Sequence, residues 1–257
     1  MRSNRAYRAT IAIAFVASAA GTIVWCRSMS GGMPMPGGWT MSMAWMRMPG
    51  QSWPLAFVSF VAMWLAMMIA MMLPSLFLTL TRYRSALLMR GVTRLSAVTV
   101  AASIGYFAVW ALLGVLVYPF GVVLATMAMR WPAIARVVPI ATGAVILLAG
   151  SLQLTRWKAR QLNSCRYATD CCDNPAKDAR GAWMHGVRSG LRCTLCCAGF
   201  TSVLLVAGVM DPGAMAAVAA GITLERFAPR PTLIARATGV VFVAVGTLWI
   251  VRSIAGF

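Results

Sequence analysis

The sequence predicts an all-α protein that crosses a membrane about six times, and three observations lead to that prediction. Of the 257 residues, 60% are hydrophobic and 11% are charged, about half the charged fraction of a soluble domain. The mean hydropathy is +0.77. Several apolar runs reach about 20 residues, the length with which a helix crosses the hydrocarbon layer. Because lipid offers no hydrogen-bonding partners, such runs satisfy their backbone groups internally, as helices.

Six apolar runs follow one another along the chain. The expected spans cover residues 9–26, 54–80, 95–118, 133–152, 195–224 and 233–251. The first run resembles a signal peptide, but it is long enough to span, so we interpret it as an uncleaved helix. Residues 121–131 are too short to cross and are interpreted as an interfacial piece. Asp211-Pro212-Gly213 interrupts the fifth run, and a hairpin at this break would raise the count to seven spans.

We interpret the chain as a single integral membrane domain with four consecutive parts. They are a first helix with a methionine-rich outer segment, helices two to four, a cysteine loop and the C-terminal helices, over residues 1–53, 54–152, 153–192 and 193–257. In the six-span arrangement, the N-terminus, the 81–94 connector, the cysteine loop and the C-terminus share one side and hold 16 of the 23 basic residues. Since arginine and lysine concentrate on the cytoplasmic side, both termini are predicted to be cytoplasmic.

The net charge of +18 raises the question of a nucleic-acid partner. The basic residues, however, stand in short groups beside apolar runs, which is the position of membrane-flanking anchors. We therefore expect the basic residues to contact a lipid bilayer, and we expect no nucleic-acid partner.

Five methionines in the second span form the first candidate metal site. Met63, Met67 and Met71 recur at every fourth position and therefore share one face of a helix. Met68 and Met72 form a second pair beside them. One interpretation is packing, because methionine fills irregular gaps between helices. The other is a ladder of soft thioethers for a soft cation such as Cu(I).

Residues 27–53 carry a second group of methionines. Seven fall between positions 29 and 48, several as Met-x-Met, in a segment broken by proline and glycine. Such a loop has little core for thioethers to fill, which favours metal capture. The alternative is an amphipathic segment in the membrane interface, with its tryptophans at headgroup level. Both interpretations stay open.

Six of the seven cysteines fall within one short region of the chain. The candidate metal ligands among them are Cys171, Cys172, Cys193, Cys196 and Cys197. The last three have the i, i+3, i+4 spacing with which thiolates at a helix start can share one metal ion. A cytoplasmic compartment keeps thiols reduced, which favours metal binding or redox exchange over disulfides. A soft metal is the first interpretation, and zinc, thiol redox exchange and a structural role are the alternatives.

Catalytic signatures are absent from the sequence. The chain has a single histidine, and it lacks a Walker-type loop and an HExxH motif, so we do not expect an enzyme. That histidine, His185, is a further ligand candidate or an ordinary hydrogen-bonded surface residue. Asp211 and Glu225 flank the broken fifth run, and we interpret them as a turn former and an ion-paired residue instead of a proton path.

Several sequence blocks carry a resemblance to a known family. They are Met63-Trp64-x-x-Met67-Met68-x-x-Met71-Met72-Leu73-Pro74-Ser75, Gly105-Tyr106 with Trp110, Ala149-Gly150-x-x-Gln153-Leu154-Thr155-x-x-Lys158, Gly186-x-x-x-Gly190, Cys196-Cys197, Gly208-Val209-Met210 and Leu224-Glu225. In these blocks, over about residues 40–252, the chain resembles the bacterial predicted metal-binding integral membrane proteins. The resemblance implies a multi-spanning protein of the bacterial inner membrane with suspected metal binding. The family usually has glycine before the double cysteine, where this chain has Leu195, and lysine after the glutamate, where it has Arg226.

The two sulfur groups lead to one functional hypothesis. The protein would bind a soft metal, with Cu(I) as the first candidate and zinc as the second, and translocate or deliver it. Weak thioethers on the outside and stronger thiolates on the inside give a downhill order of affinity. A copper chaperone or a copper enzyme would be the partner. The alternative is a membrane assembly or scaffold factor, or a thiol-redox partner of another membrane enzyme, with no transport of its own.

Overall fold

The structure, a computed structural model, describes residues 2–28, 31–92, 94–166 and 178–255. In these residues eight helices form one bundle, which confirms the predicted fold class. They are α1 (Arg2–Ser28), α2 (Trp53–Met89), α3 (Leu95–Arg130), α4 (Pro132–Gln153), α5 (Arg156–Arg166), α6 (Ala179–Ala207), α7 (Pro212–Phe227) and α8 (Pro231–Ala255). All except α5 and α7 are long and apolar enough to cross a membrane, which makes six candidate spans in the described part of the chain.

Two predicted boundaries are wrong. Helix α3 continues to Arg130, so residues 121–131 are not a separate interfacial piece. Pro119 lies inside this helix, and membrane helices tolerate proline because their surroundings satisfy the freed carbonyl group. The region 153–192 is not a loop throughout, since it holds α5 and the first 14 residues of α6. Asp178 caps α6 by accepting a hydrogen bond from Gly181 N at 3.2 Å, so the boundary expected at residue 193 falls inside a helix.

Helix α7 reverses the direction of the chain inside the bundle. Gly208 follows α6 with a φ of 129°, a conformation that glycine adopts without strain. Asp211 then begins α7 by accepting hydrogen bonds from Gly213 N at 2.7 Å and Ala214 N at 3.2 Å, which is the predicted turn. The 16 residues of α7 cover roughly 24 Å, and its last turn contacts the cysteines of α6. The break in the fifth apolar run is therefore a hairpin.

Because of this hairpin, α8 runs in the direction opposite to the one expected from the six-span arrangement. At one end of the bundle, Arg84 of α2 lies over the ring of Tyr7 in α1, 4.3 Å from the ring centre, and donates to Thr99 near the start of α3. At the opposite end, α4 starts directly after α3 and runs antiparallel to α8, with Gly143 against Gly246. The described ends of α1 and α8 therefore lie at opposite ends of the bundle. This arrangement of the helix ends is the one expected from the seven-span alternative, and the membrane side of each terminus stays a prediction.

Glycines make the closest contacts between helices. A Cβ atom built on Gly186 of α6 would run into the backbone carbonyl of Ala102 in α3. A Cβ atom on Gly150 of α4 would lie 2.8 Å from the carbonyl oxygen of Gly239 in α8. Small residues allow such close approach in a membrane, where helix association depends on van der Waals packing. The first contact holds α6, with its cysteines, against α3.

Gly186→Ala is expected to lower the free energy of unfolding in detergent by about 2 kcal/mol, because the added methyl group forces α3 and α6 apart. Unfolding followed by circular dichroism measures this loss. Gly21→Ala in α1 is the matched control, since nothing lies within 4 Å of the added methyl group and alanine favours a helix by about 1 kcal/mol. If Gly186→Ala were as stable as Gly21→Ala, the close α3–α6 contact would be contradicted.

The methionine-rich outer segment forms a small hairpin and a 3₁₀ turn (Met43–Trp45). Strand β1 (Gly32–Met35) pairs antiparallel with β2 (Trp39–Ser42). Met35 and Met41 are buried against alanines of α3 and α4. Trp39 Nε1 donates a hydrogen bond to Ala135 O at 2.9 Å. Part of the segment therefore packs on the bundle, so these two methionines fill a core that the loop was not expected to have.

Candidate metal centre

The predicted methionine row faces the interior of the bundle. Each of its five members exposes 5% or less of its surface: Met63, Met67, Met68, Met71 and Met72. They belong to one core cluster that also holds Trp64, Trp110 and the cysteines of α6. Packing and metal binding both require such burial, so burial does not distinguish them. The distinguishing contact is at Met72, whose Sδ accepts a hydrogen bond from the Cys193 thiol at 3.8 Å.

Trp64 sets the position of the methionine row against α3. The side chain is fully buried, and its Nε1 donates to Trp110 O at 2.9 Å. A Cβ atom on Gly114 would lie 2.5 Å from Trp64 Cδ1, so the indole occupies the space that this glycine leaves. Because α2 and α3 are antiparallel, the pairing brings Met72, about two turns after Trp64, to the level of Tyr106.

The three cysteines of α6 form a connected thiol group. Cys193, Cys196 and Cys197 are only 1–2% exposed. Cys197 hydrogen-bonds to both Cys193 and Cys196, and Cys196 hydrogen-bonds to Cys165 of α5. The prediction that these cysteines stand at a helix start is wrong, because α6 begins 14 residues before Cys193, at Ala179. The i, i+4 spacing still places Cys193 and Cys197 on one face.

Two polar side chains face the Cys193 thiol. The Tyr106 hydroxyl donates to Cys193 Sγ at 2.9 Å, and Arg226 Nη2 donates to the same sulfur at 2.8 Å. Arg226 Nη2 also lies 3.8 Å from Cys197 Sγ. In the part of the chain that the structure describes, no carboxylate forms an ion pair with Arg226. The guanidinium therefore contacts both members of the i, i+4 cysteine pair.

A buried ion pair lies next to the thiol group and contacts the backbone of Cys196. Lys158 Nζ lies 2.8 Å from Glu225 Oε2, and each side chain is 3% exposed. Lys158 also donates to Cys196 O at 2.6 Å. Glu225 Oε1 accepts hydrogen bonds from Gln153 at 2.8 Å and from Thr238 at 3.1 Å. These contacts join α4, α5, α6, α7 and α8, and they confirm that Glu225 is ion-paired, with Lys158 as its partner.

A small cavity lies beside the thiols. Its volume of about 20 Å³ is enough for one water-sized occupant. Its wall includes Cys165, Cys193, Tyr106 and Arg226, together with hydroxyl groups of α2, α5 and α6. Two thiols from different helices thus face one space, at the end of the bundle where α5 lies.

Cys165 is the member of this thiol group that lies outside α6. It is half-buried, and its Sγ lies 3.2 Å from Arg192 O. Hydrogen bonding with Cys196 lowers the pKa of the Cys165 thiol below its ordinary value, although burial opposes this shift. A lower pKa increases the thiolate fraction at neutral pH, and the thiolate is the form that binds metal.

The structure describes the position of only some of the remaining predicted ligands. Cys171 and Cys172 lie outside the described residues, so their part in the site stays a prediction. His185 stacks on Tyr83 of α2, with ring centres 4.7 Å apart. Among the described residues, no three His, Cys, Asp or Glu side chains come together as a metal site. The further sulfur donor beside the Cys193 thiol in the described residues is Met72.

Sequence reasoning did not assign four residues of this site: Cys165, Tyr106, Lys158 and Arg226. A signal was available for two of them, because Tyr106 and Lys158 occur in the motif blocks of the family resemblance. Arg226 stood out only as a departure from the lysine usual in that family. Cys165 lies in the cysteine-rich region, but 31 positions separate it from its partner Cys196, so their contact needed the fold.

Comparison with family models assigns the chain to a known family. It matches the family model PpoB2, described as a copper chaperone, over residues 61–249. The matched region is about three-quarters of the chain and holds the methionine row, the thiol group, Lys158, Glu225 and Arg226. Comparison with curated proteins and with solved structures finds no match. The match agrees with the sequence resemblance at the level of a copper-related bacterial family. The chain belongs to the PpoB2 copper chaperone family.

Proposed function

We propose that this protein is a copper chaperone of the bacterial inner membrane that holds Cu(I) between Cys193, Cys197 and Met72 and delivers it to a partner. The observation that carries the proposal is the 3.8 Å contact between Met72 Sδ and Cys193 Sγ, which joins the two sulfur groups of the sequence. Soft sulfur donors favour Cu(I) over harder cations. The family match supports copper handling. The proposal includes no catalytic step.

The spacing of the sulfur atoms suits one metal ion. Metal–thiolate bonds are about 2.3 Å long in zinc proteins, and two sulfurs bound at that length in tetrahedral geometry stand about 3.8 Å apart. Met72 and Cys193 have this separation. Cys197 lies one turn further along α6 and hydrogen-bonds to Cys193. Two thiolates and one thioether then form a donor set made of sulfur alone.

The other methionines of α2 would supply a route to this site. Met63 precedes Met72 by nine residues, about 13 Å along the helix axis, and lies toward the end that carries the hairpin. There Met33 and Met48 expose 38% and 37% of their surface, so they would meet copper first. Neutral thioethers bind copper less strongly than thiolates, and affinity therefore rises toward Cys193.

Delivery at the α5 end follows from the position of the cavity. Cys165 and Cys193 line this cavity, and Cys165 is the more exposed of the two. A copper-dependent enzyme or a second copper carrier would approach this end and take the metal by ligand exchange. Arginine and lysine counts predict that this end, which holds the start of α1, is cytoplasmic.

The test is a Cu(I) titration of the purified full chain in detergent, in competition with a chromogenic chelator. We expect one Cu(I) per chain and protection of Cys193 and Cys197 against alkylation, read by mass spectrometry. Cys26→Ser is the matched control, because Cys26 is also buried but lies near Asp211, at the start of α7. Copper that leaves Cys193 and Cys197 fully reactive would reject the site. If the chain retained zinc in place of copper, the assignment of Cu(I) as the bound metal would be wrong.

A further inference from the structure

We infer that Arg226 makes the site selective for a monovalent metal ion, so that Cu(I) is accepted and divalent ions such as Zn(II) are disfavoured. The inference rests on the proposed site at Cys193, Cys197 and Met72. It arises from the contacts of Arg226, which place a permanent positive charge 2.8 Å from one proposed ligand and 3.8 Å from the other. Arginine stays protonated in proteins, so this charge does not change when metal binds.

Among the residues that the structure describes, no carboxylate pairs with Arg226. Arg226 Nε is buried and has no hydrogen-bond partner, and Nη2 contacts the two sulfurs. Lys158 is matched by Glu225 at 2.8 Å, so that pair adds no net charge. Arg192 lines the cavity beside Cys193 but is not among the contacts that the structure gives for either sulfur in the described residues. Tyr106 faces Cys193 as a neutral hydroxyl donor. Among the described side chains that contact Cys193 Sγ or Cys197 Sγ, Arg226 is the one that carries a charge, so the charge at the metal is counted from the two thiols, Arg226 and the metal ion.

Counting these charges separates the two metals. Cysteines bind metal as thiolates, so two ligands contribute −2 and the guanidinium contributes +1. One Cu(I) ion brings the sum to zero. One Zn(II) ion leaves a net charge of +1 between a half-buried arginine and three sulfur ligands that are at most 2% exposed, Cys193, Cys197 and Met72. An uncompensated charge in such a place is strongly unfavourable, so the arginine penalises the divalent ion.

The position of the third thiol agrees with this count. Cys196 hydrogen-bonds to Cys165 and to Cys197, and it has no contact with Arg226 among those that the structure gives for the described residues. The cysteines that share the guanidinium are the i, i+4 pair, Cys193 and Cys197. A dithiolate at this pair matches one guanidinium and one monovalent metal ion.

The experiment measures dissociation constants of the full chain in detergent for Cu(I) and for Zn(II), each by competition with a chelator. Arg226→Gln is expected to lower the ratio of Cu(I) affinity to Zn(II) affinity by about tenfold or more, because the zinc dithiolate becomes neutral. Arg226→Lys retains the charge and is expected to keep most of the ratio. Arg188→Gln is the matched control, since it removes an exposed arginine of α6 that is outside the site, and it should keep the wild-type ratio.

Each outcome decides between defined alternatives. An Arg226→Gln variant that binds both metals with the wild-type ratio overturns the inference and leaves the copper site intact. An equal fall in Arg188→Gln overturns it as well, because overall charge then explains the effect. Copper binding that is unchanged in Cys193→Ser rejects the proposed site itself, which is a separate result.

A second measurement uses the wild-type chain and does not depend on the folding of a variant. Ag(I) and Cd(II) are both soft, but only the first is monovalent. Ag(I) is expected to displace Cu(I) from the chain, whereas Cd(II) at the same concentration is not. Displacement by Cd(II) as effective as that by Ag(I) overturns the inference.

Discussion

Glu225→Gln is expected to lower the free energy of unfolding by about 3–5 kcal/mol, the cost typical of removing one partner from a buried ion pair. The substitution keeps the shape of the side chain but removes its charge, which leaves the ammonium group of Lys158 buried without a counter-ion. Gln153 and Thr238 lose a charged acceptor at the same time. Because the four side chains come from α4, α5, α7 and α8, one change weakens several helix contacts.

Unfolding in detergent, followed by circular dichroism, measures this loss. Asp211→Asn is the matched control: it makes the same chemical change at the exposed start of α7, where asparagine caps a helix as well as aspartate does. The double variant Lys158→Met/Glu225→Met is expected to recover most of the stability, because no unpaired charge remains. Equal stability of Glu225→Gln and Asp211→Asn would contradict a stabilising role for the ion pair.

Cys193→Ser is expected to weaken Cu(I) binding by about 100-fold or more, since loss of a ligand exceeds the 10–100-fold effect of changing its surroundings. Cys193 is the sulfur that meets Met72, Tyr106 and Arg226. Serine retains the size and the hydrogen bonding but removes the soft donor. Chelator competition measures the dissociation constant of each variant.

A graded series on α2 sharpens this prediction. Met72→Leu nearly conserves volume, removes the thioether beside Cys193, and is expected to weaken Cu(I) binding by about tenfold. Met63→Leu is the matched control, because Met63 is equally buried but lies about 13 Å away along the helix. Equal affinities for the two variants would show that the methionines pack and do not bind.

The helical architecture was predictable from the sequence because lipid leaves a spanning segment few alternatives. The ends of the elements were less predictable. The third span was expected to end at Tyr118, next to Pro119, yet α3 runs on to Arg130, since proline only weakly interrupts a helix in apolar surroundings. Asp178 caps the start of α6. This start was not predicted, because the residues around Asp178 are polar and were therefore assigned to a loop.

The candidate site was predictable in its residue types and not in its contacts. Spacing placed Cys193 and Cys197 on one face, but their partner Met72 is 121 positions away, and no local pattern links such distant residues. The same holds for Lys158 and Glu225, which are 67 positions apart. Sequence showed where sulfur is concentrated, whereas the crossing of α2, α6 and α7 decides which sulfur atoms meet and which cation stands beside them.

The reversal at α7 has a practical consequence for anyone attaching a reporter to this chain. The end of α8 lies beside the start of α4, and the start of α1 lies beside the end of α2. A fluorescent domain fused after α8 would thus stand at the end of the bundle opposite to one fused before α1. Only the latter would stand close enough to the cavity at Cys165 to obstruct a visiting acceptor protein.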